Sequence, residues 1–148
     1  MPHFSYAELE TRYRRVCLMG EAAAVLHWDT AVMMPEGSAS ARAEQLAEIQ
    51  AIIHGLKTAP EVGELIENAE SEIDELNDWQ CANLKEIGRE WVKARAVPED
   101  LVVALSHACS ACELAWRDAR PNADFEAVRP QLQEVLNLTR EAGGLKAD

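Results

Sequence analysis

Residues 5–27 read SYAELETRYRRVCLMGEAAAVLH, and the spacing of their apolar side chains decides the fold class. Apolar or small residues recur every three or four positions, which is the period of one face of an α-helix. The members of this stripe are Tyr6, Leu9, Tyr13, Val16, Gly20, Ala23 and His27. Because Ser5 and Glu8 form the S-x-x-E pattern of a capping box, we predict that the first helix begins at Ser5.

The same helical period continues through the rest of the chain, and no β-branched run bounded by turns interrupts it. We predict an all-α protein with one compact, bundle-like domain of about five to six helices over residues 1–142, followed by a polar tail over 143–148. No internal repeat or long linker divides the chain into two domains.

Residues that favour helix ends mark the middle of the chain. Ser38 or Ser40 is expected to cap the second helix, and Pro60 to open the third, where its missing N–H costs little. The next apolar stripe either continues into a fourth helix or breaks near residues 77–78, and the pattern leaves both possibilities open.

The last two helices carry clearer signals. Pro98, followed by acidic residues, is expected to start the fifth helix, and Asp124 to cap the sixth. Pro130 would remove one hydrogen bond from the sixth helix and bend it or mark a boundary. The sixth helix is expected to fade at Gly143–Gly144 into the polar tail.

Small residues cluster in the second half of the first helix. Gly20 and Ala22–Ala24 leave little side chain on that part of the surface. We therefore predict that another helix packs closely there.

Charge and hydropathy limit the classes of partner. The chain has 148 residues, with 26 acidic against 14 basic side chains and a formal net charge of -12. Such a surface repels phosphate backbones and anionic membranes, so we expect no nucleic acid and no membrane partner. Apolar runs such as Ala22–Leu26 are far shorter than the roughly 18 residues that span a bilayer, and the first ten residues lack the pattern of a signal peptide.

We therefore expect a cytoplasmic protein whose four cysteines are reduced thiols. The segment HACSAC places His107, Cys109 and Cys112 within six residues, and C-x2-C spacing suits zinc. However, it supplies only half a zinc site, and both cysteines lie in an apolar stripe, so we predict core packing instead. None of the four histidines begins an H-E-x-x-H pair. The sequence thus predicts no catalytic residue, no metal ligand and no cofactor in this chain.

The stretch HWDTAVMMPEG, residues 27–37, is unusually apolar for a turn between helices. Trp28, Met33 and Met34 either cap the bundle, with Asp29 or Thr30 capping a short turn, or dock against another domain. The other tryptophans, Trp79, Trp91 and Trp116, have helical spacings typical of the core.

Two blocks of sequence resemble the carboxypeptidase Taq family of zinc metallocarboxypeptidases. The first, WDTAVMMPEGSASARAEQLAEI, matches a family signature through Trp28, Asp29, Met33, Met34, Pro35, Arg42, Glu44, Gln45 and Leu46. The second, AWRDARPNADFEAVRPQLQEVLNLTRE, matches through Trp116, Arg117, Ala119, Arg120, Asp124, Phe125, Pro130 and Leu132. Val128 departs from the pattern, because the family more often has an aromatic residue there.

The resemblance covers nearly all of this chain but only about the first third of a family member. It implies an all-α, cytoplasmic and usually dimeric exopeptidase, whose zinc is held by residues beyond this chain. Zinc is therefore implied only for a full-length relative, and no catalytic residue is transferred to a position here. The signature residues Trp28, Asp29, Met33, Met34, Pro35, Arg42, Trp116, Arg117 and Arg120 are expected to be structural or docking residues.

Two functions follow from the resemblance. In the first, the chain is the amino-terminal groove wall or cap of such an enzyme, and its partners are the missing catalytic segment or a second copy of itself. In the second, it is a stand-alone helical module that binds a protein partner or regulates a peptidase.

Overall fold

A computed structural model describes residues 4–147, and within that range the chain is helical, with no strand. The described residues form six α-helices, which are α1 Phe4–Val32, α2 Ala39–Thr58, α3 Glu61–Ser71, α4 Asp78–Arg95, α5 Glu99–Ala119 and α6 Phe125–Leu145. The predicted all-α class is confirmed. Residues 1–3 of the predicted domain and Asp148 of the predicted tail lie outside the described residues. Across 4–147, no helix is both long and apolar enough to cross a membrane.

Helix α1 is longer at both ends than we predicted. It already includes Phe4, so Ser5 lies inside the helix and the predicted capping box at Ser5 is wrong. It also continues past Trp28 and Asp29 to Val32, so the apolar stretch is mostly helix rather than turn. The turn itself is short and contains the 3-10 segment Glu36–Ser38, after which α2 begins at Ala39.

Local side-chain caps explain the other boundaries. The helical structure is interrupted between α3 and α4. There Asn77 Oδ1 accepts a hydrogen bond from the Gln80 amide at 3.0 Å, and Gln80 Oε1 accepts one from the Asn77 amide at 2.9 Å. This reciprocal pair satisfies two donors at the start of α4. The predicted cap of α6 is also present, because Asp124 Oδ1 accepts from the Ala127 amide at 3.1 Å. By contrast, Ser38 has the N-cap position of α2 but makes no side-chain cap.

Helix α6 runs through both of its predicted weak points. Pro130 lies inside the helix, and the helix ends at Leu145 rather than at Gly143–Gly144. Pro130 lacks the backbone donor near the helix start, and the helix continues on either side of it. The polar tail is therefore shorter than residues 143–148.

Two separate buried clusters hold the helices together. The first joins α1, α3 and α4 and consists of Tyr6, Leu9, Val62, Ile66, Ala69, Leu76, Leu84 and Ile87. The second joins the end of α4 to α5 and α6 through Val97, Leu101 and Ala142. Helix α2 packs against both α1 and α5, and α5 packs along α6. The result is a bundle in which α2 connects the two clusters.

The predicted close packing along Gly20 and Ala22–Ala24 holds for Ala23, which is buried, and is wrong for Gly20. Among the described residues, a Cβ atom built on Gly20 meets no atom within 4 Å, and Ala22 and Ala24 are exposed. The tight contact is at Gly63 in α3, where a Cβ atom would lie 2.8 Å from Trp91 Cζ2 of α4. Small side chains permit a close approach, but they do not specify which helix makes it.

Tyr13 connects α1 to α4. Its partly buried hydroxyl leads us to predict a loss of stability at alkaline pH. Its hydroxyl donates to the Ile87 carbonyl at 3.3 Å. Burial raises its pKa to about 12, with Glu90 adding to the rise and Arg12 opposing it. Because the unfolded chain releases this proton near pH 10, the folded state holds more protons between pH 10 and 12, and stability falls as pH rises through that window.

The comparison of the parent chain with Tyr13→Phe tests this effect. We expect the parent to lose about 1 kcal/mol more than the variant between pH 10 and 12, a figure reduced for the partial exposure of the ring. Urea unfolding at several pH values measures the difference. Parallel pH profiles for the two proteins would contradict the raised pKa.

Candidate functional site

Arg42 of α2 reaches back to the carboxyl-terminal part of α1. Its Nη1 lies 2.6 Å from Asp29 Oδ2 and donates to the Leu26 carbonyl at 2.9 Å. Its Nε donates to Gln45 Oε1 at 3.0 Å, which fixes the direction of the guanidinium. The Arg42 side chain is 16% exposed and that of Asp29 31% exposed, so solvent screens this ion pair only partly. The contacts hold the start of α2 against α1.

Arg117 of α5 reaches the same region from the other side. Its Nη1 donates to the Thr30 carbonyl, and its Nη2 forms an ion pair with Glu113. The last turn of α1, Asp29–Val32, carries no basic side chain, and its carbonyls are the negative end of the helix dipole. The Arg117 guanidinium supplies the hydrogen-bond donor and the positive charge that this last turn lacks. We call Asp29, Thr30, Arg42 and Arg117 the arginine junction.

We predicted Thr30 only as a residue that caps a short turn. It is buried, and its hydroxyl donates back to the Leu26 carbonyl at 2.8 Å. The sequence contains a pattern that indicates the burial of Thr30. Leu9, Val16, Ala23 and Thr30 follow one another at intervals of seven residues, and all four are buried. A seven-residue interval marks one side of a helix that faces a partner throughout its length.

The remaining signature residues of the first block divide between the interior and the surface. Met34 is half-buried and lies beside Arg42 and Leu46 in a small closed space between α1, α2 and α5. Trp28 and Met33 are 59% and 67% exposed. Pro35 is exposed and precedes the 3-10 turn, where its carbonyl accepts from the Ser38 amide at 2.9 Å. Within this stretch, Met34 therefore packs inside and Trp28 and Met33 face outward.

The second block contributes a groove between α5 and α6. The Arg120 guanidinium carbon lies 4.9 Å from the centroid of the Trp116 ring, which is a cation–π contact. Both residues line a groove of 760 Å³ whose other walls are largely apolar, such as Val128 and Leu132. Arg120 and Trp116 thus lie together in the wall of this groove.

Two tryptophans that we predicted in the core are exposed. Trp79 is 86% exposed and Trp116 is 45% exposed, whereas Trp91 packs against the first buried cluster as predicted. Helical spacing shows that residues share one face, but it does not show whether another helix covers that face. Coverage is a property of the tertiary structure.

The cysteine cluster does not form a metal centre. Cys109 is exposed and Cys112 half-buried, so the predicted core packing is wrong for Cys109. Partial burial raises the pKa of the Cys109 thiol, and the neighbouring Cys112 adds to the rise. Between residues 4 and 147, no three His, Cys, Asp or Glu side chains lie close enough together to hold a metal ion. These residues do not fit the zinc that the sequence resemblance implies.

The contacts of the signature residues are structural in kind. The arginine junction satisfies backbone groups and joins three helices, and the exposed apolar residues beside it offer surface for contact. This defines the class of the protein as an all-helical bundle whose signature residues make structural contacts between helices.

Comparison with known proteins gives the family. The model of the carboxypeptidase Taq (M32) metallopeptidase family matches residues 8–148, so the chain belongs to this family. Thermostable carboxypeptidase 1 of Thermus thermophilus is 33% identical over 143 residues, which is 95% of this chain and 28% of that protein. Thermostable carboxypeptidase 1 of Pyrococcus furiosus is 29% identical over 91% of this chain and 27% of its own length.

Solved structures show the same correspondence. Trypanosoma cruzi metallocarboxypeptidase 1 is 33% identical, covers 99% of this chain and has a TM-score of 0.76, and the match takes up 29% of that protein. The BsuCP crystal structure has a TM-score of 0.92 over 96% of this chain and 29% of its own, at 22% identity, and supports the fold alone. The chain thus spans less than a third of its relatives and corresponds to their amino-terminal helical segment.

Proposed function

We propose that this chain forms one wall of a zinc metallocarboxypeptidase and supplies no catalytic group itself. A metallocarboxypeptidase removes the last residue of a peptide with a metal-activated water. In this proposal the helical wall positions the peptide groove and excludes solvent, while the zinc ligands come from the rest of the enzyme. A cytoplasmic location belongs to the same proposal and is supported by the family resemblance.

One observation carries this proposal, namely an uncovered apolar strip on α1. Leu18, Val25, Trp28 and Val32 are 55%, 64%, 59% and 59% exposed. Their spacings of seven, three and four residues place them on one side of the helix. Large contiguous apolar surfaces are characteristic of faces that contact another domain. The rest of a full-length enzyme is the partner that we propose for this strip.

A chimeric enzyme tests the proposal. This chain is fused in place of the matched segment of the Thermus thermophilus carboxypeptidase, and release of the carboxyl-terminal residue from a blocked dipeptide is measured with zinc present. We expect the chimera to be active, and both this chain alone and the truncated carrier alone to be inactive. A chimera with native helical content and no activity, or activity from this chain alone, would contradict the proposal.

A surface variant separates docking from folding. Trp28→Ser combined with Met33→Ser is expected to change the free energy of unfolding of this chain alone by no more than about 0.5 kcal/mol, because both side chains are exposed. In the chimera, the same pair is expected to lower the melting temperature by several degrees, since each buried large apolar side chain contributes about 1.5 to 3 kcal/mol. Equal effects in the two proteins would show that these residues do not dock.

Self-association of the isolated chain is a further consequence of the proposal. Without its partner, the apolar strip on α1 is free to pair with a second copy. Sedimentation velocity over a range of concentrations measures this directly. A monomer at every concentration would count against an interface on α1.

A further inference from the structure

A second groove lies on the side of the bundle where α2, α4, α5 and α6 meet. It has a volume of 560 Å³. Pockets of roughly 300 to 1,000 Å³ hold small organic ligands. From α2 it receives His54 and Lys57, and from α4 Glu90 and Lys93. Lys146 adds a further side chain at the end of α6. We call it the lysine groove.

The charge of the lysine groove is opposite to that of the whole protein. The chain has a net charge of -12 and four lysines, and three of these lysines line this groove. Glu90 is the one acidic side chain among its described lining residues, and it is paired with Lys57 at 2.9 Å. Along residues 4–147, neither Lys93 nor Lys146 forms an ion pair. With three lysines against one glutamate, the lining carries two more positive than negative side chains.

Histidines add hydrogen-bond donors beside these lysines. His27 and His54 both line the groove. Burial lowers the pKa of His54, with Glu99 opposing and Lys57 adding to the shift, so at neutral pH its ring is uncharged and carries one N–H donor. A ligand oxygen in the groove therefore meets both ammonium and imidazole donors.

The floor of the groove is apolar. Val97, Leu101 and Ala142 of the second buried cluster lie beneath it, and Ile53 and Leu105 line its walls. Such a floor favours a hydrocarbon body and disfavours a strongly hydrated inorganic ion. The cationic side chains favour the anionic end of an amphipathic molecule, and the apolar floor favours its hydrocarbon end.

We propose that the lysine groove binds an organic monocarboxylate with an apolar chain of about four to eight carbons. The carboxylate lies between Lys93, Lys146 and the histidines, and the chain lies over Leu101 and Leu105. Fatty acids and amino-blocked apolar amino acids share this chemistry. The proposal concerns this groove alone and does not depend on peptidase activity.

Titration calorimetry with octanoate and N-acetylleucine as separate probes tests the proposal and distinguishes the two sources. At least one probe is expected to bind with a Kd below about 1 mM, and the tighter probe identifies the source. Octylammonium, which has the same chain and the opposite charge, is expected to bind at least about tenfold more weakly than octanoate. Absence of binding by both carboxylates, or equal binding of octanoate and octylammonium, would overturn the proposal.

Lysine variants locate the site. Lys146 is exposed and lies at the end of α6. Lys146→Gln is expected to raise the Kd of the bound probe about tenfold, and adding Lys93→Gln is expected to raise it further. Lys85→Gln removes the one lysine outside the groove and has the same effect on net charge, so it is the matched control and should leave Kd within about twofold. Circular dichroism verifies that each variant is folded. An equal loss of affinity in Lys85→Gln and Lys146→Gln would show a non-specific charge effect and overturn the assignment.

Discussion

Leu9→Ala is expected to lower the free energy of unfolding by about 3 kcal/mol, within the usual range of about 2 to 5 kcal/mol for buried leucines. Leu9 has no exposed surface and lies in the first buried cluster, where α1 meets α3 and α4. Truncation leaves a cavity that the three helices fill only in part, so the lost contacts add to the lost burial. Urea unfolding followed by circular dichroism measures the change.

Leu18→Ala is the matched control for this prediction. It makes the same chemical change in the same helix, but Leu18 is 55% exposed. We expect it to cost less than about 1 kcal/mol, because little apolar surface leaves water at this position. If the two variants were equally destabilised, α1 would not pack through the face that contains Leu9.

Arg42→Met is expected to lower the free energy of unfolding by about 2 kcal/mol. The substitution removes the 2.6 Å contact with Asp29 and the hydrogen bond to the Leu26 carbonyl. The Asp29 carboxylate, whose side chain is only 31% exposed, then has no opposite charge from α2. A double-mutant cycle with Asp29→Asn is expected to give a coupling energy of about 1 kcal/mol, which isolates the contribution of the pair.

Arg89→Met is the control for the arginine junction. The Arg89–Glu86 pair lies on the surface, with the two side chains 57% and 60% exposed. Surface pairs of this kind contribute about 0 to 1 kcal/mol, so the expected cost is below about 0.5 kcal/mol. A loss for Arg89→Met as large as that for Arg42→Met, or a coupling energy near zero in the Asp29 cycle, would contradict the role assigned to the junction.

Several features were predictable because their causes are local in sequence. The cap of α6 was predicted from Asp124 alone, and the start of α5 from Pro98 and the acidic residues after it. The break between α3 and α4 was one of two open possibilities, since the Asn77–Gln80 pair competes with a continuous apolar stripe. The signature residues were singled out by resemblance, but nothing local indicated that Asp29 pairs with Arg42 or that Arg117 binds the end of α1.

The errors also have a common cause. The sequence showed that Trp79 and Trp116 follow helical spacing and that Gly20 lies among small residues, and each observation describes a single helix. Whether such a face is covered depends on where other helices lie. A Cβ atom at Gly20 would lie in open space, while one at Gly63 would meet the Trp91 ring.

The sequence by itself determined the all-α class, the starts of α5 and α6, the acidic charge and the family resemblance, because each depends on residues within a few turns or on composition. Only the tertiary structure decided which apolar stripes are buried, how Arg117 reaches a carbonyl 87 residues away, and how three lysines from separate helices form one groove. These features depend on packing between distant parts of the chain, and helical periodicity does not show which helices meet.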